Sequence, residues 1–177
     1  MADKEALEAL ETAIQMEVEG HTYYVKTAAR VSWPEGSSTL LDLATDEMEH
    51  IRILKEEHAA LMAGHEWLSP DKVSTQLSSG AKKQLPVFAT DDSVIAGMVS
   101  DRADALEVLD LAIKVEYKSH TFYAKQAKIS QSPAARAIWE WLVKEEKGHQ
   151  AILTDYALYI GAQNEWLLEH ERPILEG

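Results

Sequence analysis

A shift of 99 residues lays this chain on itself without a gap. It carries Glu17 onto Glu116, His21 onto His120, Tyr24 onto Tyr123, Pro34 onto Pro133, Glu47 onto Glu146 and His50 onto His149. It also carries Glu66-Trp67-Leu68 onto Glu165-Trp166-Leu167. About a third of the positions from Ala6 to Leu68 are identical to their partners, far above the few per cent that chance gives, so a duplicated unit is the first constraint on the fold. Each unit reads as a helical hairpin. The first spans about 3–68, with a helix from about Asp3 to Arg30 that stops before Pro34 and Gly36. A second helix starts near Ser37 or Ser38 and closes at Gly64.

The second unit spans about 102–167. Its first helix runs from near Asp101 to about Ile129. Ser132 and Pro133 then supply an N-cap and a first-turn proline for a helix to about Ile160. Between the units, from about 69 to 101, the helical period fades among Ser69-Pro70-Asp71 and Ser78-Ser79-Gly80, with a short helix expected at 92–99. Two hairpins related by a two-fold need a long crossover of this kind. The tail from Asn164 to Gly177 carries Trp166, Leu167 and Leu168 outside the last helix.

Polar residues interrupt the apolar stripes at matched places. Glu17, His21 and Tyr24 fall on the stripe Leu7, Leu10, Ile14, Ala28, and Glu116, His120 and Tyr123 fall on Leu106, Leu109, Ile113, Ala127. Glu47 and His50 lie on Leu40, Leu43, Leu54, Leu61, and Glu146 and His149 on Trp139, Leu142, Leu153, Ile160. A carboxylate and an imidazole three residues apart share one helix face. A carboxylate that faces a bundle core is costly unless it is paired or holds a metal. Glu-x-x-His on two helices, joined by one Glu from each of two others, is the ligand set of ferritin-like di-metal bundles. The expected ligands are therefore Glu17, Glu47, His50, Glu116, Glu146 and His149, with one or two glutamates bridging and each histidine on one ion. His21 and His120 are expected as extra ligands, as partners of the carboxylates or as core histidines. Tyr24 and Tyr123 can hydrogen-bond a ligand, relay an electron or simply pack.

Composition narrows the chemistry. The 177-residue chain carries 30 acidic and 17 basic residues, for a formal charge of −13, which disfavours nucleic acid and anionic membranes as partners. There is no cysteine, so thiolate catalysis, iron–sulfur clusters and Cys-ligated zinc are excluded within these residues. Oxygen and imidazole donors suit iron, with manganese or zinc as alternatives. No leader-like or membrane-length apolar run is present, and a cytoplasmic location is expected. Trp139 is expected in the core, Trp141 at an interface, and Glu19, Glu49 and Glu57 on the solvated face, with Glu57, which falls on the stripe below His50, alternatively lining an entry path.

The stretches Ala13–Glu17 through Tyr23-Tyr24, Asp46–His50, Ala112–Glu116 through Phe122-Tyr123, and Glu145–His149 resemble the rubrerythrin branch of the ferritin-like superfamily. The resemblance covers both hairpins. It implies an all-α four-helix bundle in one domain, 1–177, with a di-iron site that reduces hydrogen peroxide or dioxygen, and Tyr24 and Tyr123 beside the ligands. It also implies a homodimer, in some members with exchanged helices, and a role under oxidative stress. Two departures stand out. Ser119 occupies the place of a second glutamate three residues after Glu116, and the chain lacks the cysteines of a rubredoxin domain, so electrons are expected from a separate donor protein. Rival readings are an iron-oxidising, buffering or storage protein, and a dimeric interaction module with a vestigial or zinc site.

Overall fold

The periodic stripes fold as four long α-helices, which account for the secondary structure among the described residues. The computed structural model describes residues 4–29, 31, 34–68 and 102–170. In chain order the helices are α1 (Lys4–Ala28), α2 (Pro34–Met62), α3 (Arg102–Ile129) and α4 (Pro133–His170). Helix α1 packs along α2 and α3 along α4, and the two hairpins face each other. The crossover at 69–101, with its expected helix at 92–99, lies outside the described residues. None of the described helices is long and apolar enough to cross a membrane.

Two ends differ from expectation. Helix α2 begins at Pro34 rather than at Ser37 or Ser38, because proline suits the first helical position, where its missing N–H has no intrahelical partner to lose. Ser37 instead donates its hydroxyl to the carbonyl of Ala28 at 3.0 Å, which ties the end of α1 to the start of α2. Helix α4 runs through Gly161 to His170, so Trp166, Leu167 and Leu168 belong to the helix and not to a tail. A single glycine costs a helix only about 1 kcal/mol, and good helix formers follow it.

Two further ends match their residues. Ser132 accepts the amide of Ala135 at 3.3 Å as the cap of α4. At Gly64 the backbone turns left-handed, φ +78°. Its N–H reaches Leu61 O and that of His65 reaches Ala60 O, each at 3.0 Å, a Schellman closure. A side chain there meets nothing within 4 Å, so backbone strain alone sets the effect of Gly64→Ala. We expect a loss of about 1 kcal/mol, read as a melting-point drop of roughly 2–4 °C for a chain of this size.

The apolar core splits into two clusters at opposite ends of the bundle. One contains Leu109, Tyr24, Leu43, Leu153 and Ile160; the other contains Leu10, Tyr123, Leu142, Leu54 and Leu61. The 99-residue shift exchanges these sets member for member. The bundle thus has an approximate two-fold that swaps its ends, and between the ends lies a belt of buried polar residues.

Candidate metal centre

Each helix brings one carboxylate to that belt, and α2 and α4 add an imidazole each. Glu17, Glu47, Glu116 and Glu146 are 1–2% exposed, His50 2% and His149 4%. Helical spacing accounts for the placement: Glu47 and His50, like Glu146 and His149, lie one turn apart on the inward stripe. The six residues form two clusters, Glu17, Glu47, His50, Glu146 and Glu47, Glu116, Glu146, His149, each with donor atoms within 4.8 Å of one another. Glu47 and Glu146 belong to both.

The imidazoles face inward through Nδ1. His50 Nδ1 lies 3.2 Å from Glu47 Oε2, 3.2 Å from Glu146 Oε1 and 3.4 Å from Glu17 Oε2. His149 Nδ1 lies 3.3 Å from Glu47 Oε1 and 3.5 Å from Glu146 Oε2. The two rings stack at 5.6 Å, 18° from parallel. Each tyrosine reaches across to the opposite hairpin. Tyr24 donates its phenol to Glu116 Oε1, and Tyr123 donates to Glu17 Oε1. For Glu17 this leaves Oε2 directed at His50.

Electrostatics set these groups against one another. Burial, then the Glu47 and Glu146 charges, raise Glu17 well above the usual carboxylate range. Burial, then the hydrogen bond and charge of Glu146, raise Glu116 to about 11. Burial and the Glu146 charge also push Glu47 upward, but hydrogen bonds with Glu17, His149 and His50 outweigh them and hold it at about 2. Glu146 is likewise raised by burial, yet bonds with Glu116, His149 and His50 hold it low. Burial works against charge on both imidazoles, and the surrounding carboxylates override it and raise both. Without a cation, protons must do the neutralising.

The donor set fits divalent metal. An ion about 2.1 Å from each N or O donor spans about 4.2 Å between opposite donors, so these clusters need contract only slightly. Glu146 Oε1 and His149 Nδ1 are buried and face His50 and Glu47, respectively, without a well-directed hydrogen bond. Buried polar atoms left in this state call for a ligand. Both atoms point into the shared region.

His21 and His120 lie outside both clusters. They are half-buried, and His120 packs edge-on against Tyr117 at 5.0 Å. The buried face runs from Glu17 through Gly20 and Tyr24, and from Glu116 through Ser119 and Tyr123; at about 100° per residue these fall to one side of each glutamate and His21 and His120 to the other.

Other residues enter without a clear sequence signal. The half-buried Trp141 ring stands edge-on to His50 at 5.1 Å. Asp46 Oδ2 lies 3.7 Å from the outer nitrogen of His149, Nε2; its position just before Glu47, as Glu145 precedes Glu146, was the available hint. Glu57 is fully buried, not solvated. Its Oε2 accepts the Leu68 amide at 3.1 Å, because the chain leaving α2 folds back over it.

A family model described as Rubrerythrin matches residues 8–155 and 107–176. No curated protein matches the chain, and neither does any solved structure.

Proposed function

The chain belongs to the rubrerythrin family, and on that premise we propose that it is a non-haem di-iron protein that reduces hydrogen peroxide or dioxygen with electrons from a separate donor. In this reading Glu17, Glu47, His50, Glu116, Glu146 and His149 hold two iron ions. The sharing of Glu47 and Glu146 between the two clusters is what carries it. A lone structural ion needs no shared acids, whereas two ions side by side need bridging ones.

Iron held there would supply two electrons per turnover. The chain's own residues do the rest. Glu47 and Glu146, common to both clusters, would hold both ions, and Glu17 and Glu116 one each. Tyr24 and Tyr123 each engage one oxygen of these outer carboxylates, which orients them. Asp46 faces the outer nitrogen of His149 and favours metal binding through Nδ1. The apolar clusters at either end exclude water, which strengthens every charge interaction inside.

The test is anaerobic loading with ferrous iron, followed by peroxide. The expected result is about two irons per chain and peroxide consumption faster than by free iron at the same concentration. Consumption no faster than by free iron defeats the reading. Uptake far beyond two ions per chain replaces it with storage.

A further inference from the structure

We propose that Trp67, Trp139 and Tyr123 form an electron relay joining the buried Glu/His cluster to the surface. The inference rests on the redox reading above, and three contacts in series support it. The Tyr123 phenol donates to Glu17. Its ring lies nearly parallel to that of Trp139, 18° apart with centroids at 5.8 Å. Trp139 in turn meets Trp67 at 5.9 Å and 67°. Tyr123 and Trp139 are buried and Trp67 is half-exposed, so the series leads outward. Tunnelling decays exponentially with distance, so short hops between touching rings outrun one long jump.

Packing alone does not require these rings. The duplication supplies the control. Tyr24 bonds Glu116 as Tyr123 bonds Glu17, but the place of Trp139 in the first hairpin is taken by Leu40, 3% exposed. A leucine therefore satisfies the core at this level. Among the described residues the aromatic neighbour of Tyr24 is Tyr23, edge-on at 5.8 Å, whose phenol is tied to the carbonyl of Val108 at 2.7 Å. Among the described residues, only the half built around Tyr123 continues through indoles.

The relay conserves charge and atoms. When the centre is one electron short, Tyr123 gives up an electron and its phenolic proton moves along the hydrogen bond to Glu17. Trp139 refills Tyr123 and the proton returns. Trp67 refills Trp139, and a one-electron donor protein at the surface refills Trp67. The donor is oxidised by one electron, the centre is reduced by one, and no bond of the chain is left changed.

The test begins with zinc-loaded protein, where the redox-inert ion keeps Glu17 a carboxylate able to take the phenolic proton, and W33F, W141F and W166F leave only the two relay indoles. Azide radical oxidises the exposed indole, and the tryptophan and tyrosine radicals are followed by absorbance. The expected result is first-order growth of tyrosine radical at a rate independent of protein concentration. Breaking the ring contacts with W139F is expected to slow that growth by roughly tenfold or more, and Y123F to abolish the fast phase. Y123F removes only a hydroxyl, so it keeps the test valid if W139F fails to fold. Growth unaffected by either substitution overturns the relay.

Iron-loaded protein given peroxide without a donor provides the second readout. Peptide mass spectrometry is expected to find oxidation at Trp67 in the unmodified chain and at Tyr123 in W139F. Protein that consumes peroxide but shows no radical transfer disproves the relay and leaves the di-iron reading standing. Radical transfer without peroxide consumption does the reverse.

Discussion

Glu47→Gln protein loaded anaerobically with ferrous iron is expected to lose both ions, while Glu17→Gln is expected to keep one. Glu47 is common to the two clusters and Glu17 belongs to one, so the amide removes a charged donor from both positions in the first case and from one in the second. Loss of an outer-sphere partner alone costs roughly 10–100-fold in metal affinity, and loss of a shared carboxylate is expected to exceed that at each ion. The two variants also differ in their metal-free stability. Glu17 is held in its neutral form by burial and its acidic neighbours, so glutamine imitates what is already there. Glu47 is ionised, bonded to His50 at 3.2 Å and facing His149 at 3.3 Å, so its amide weakens both contacts. Metal content by mass spectrometry, with thermal melts on the stripped proteins, checks both halves. Equal loss of metal in the two variants contradicts the bridging assignment.

Metal removal is expected to reverse the pH dependence of stability. In the metal-free chain Glu17, Glu116, His50 and His149 all bind protons more tightly folded than unfolded. The stability from each raised group is fully present below its unfolded value, 4.5 for Glu and 6.5 for His, and is lost as pH rises toward its folded value, about 11 for Glu116. Glu47 has the opposite sign. Its contribution is present above 4.5 and lost as pH falls toward about 2, and the lowered Glu146 acts in the same direction. Stripped protein is therefore most stable near mildly acidic pH and weakens on alkalisation. The slope is about 1.4 kcal/mol per pH unit for each extra proton the folded state holds.

Metal takes the place of those protons. Its binding strengthens as protons leave the ligands, and it stabilises the fold by about 2.7 kcal/mol when free metal stands at a hundred times its dissociation constant. Thermal melts from about pH 6 to about pH 9, with metal and with chelator, should diverge steadily. Parallel curves show that the belt does not exchange protons for metal.

Most of the centre was legible because its signals are local or periodic. Glutamates on apolar stripes announce their own cost, and the 99-residue repeat turns two weak Glu-x-x-His motifs into one strong pattern. The capping residues Ser132 and Gly64 act within a few residues of themselves, and both ends formed as their chemistry dictates. The start of α2 was misjudged because proline and serine compete for the cap, and the winner depends on where α1 ends. The family assignment follows from the same stripes and the family-model match.

What the sequence alone determined is therefore the helical class, the duplication, and the set of acids and imidazoles forced inward. These follow from spacing along a helix, which a chain carries whatever it packs against. Tertiary structure alone decided which acids are shared between clusters, and that Tyr24 and Tyr123 reach across to the opposite hairpin. It also decided that His21 and His120 stand aside, that Glu57 is sealed beneath the chain at Leu68, and that Trp141 rests on His50 while Trp139 stacks on Tyr123. These depend on the angle and separation of helices distant in sequence. No local period encodes that distance.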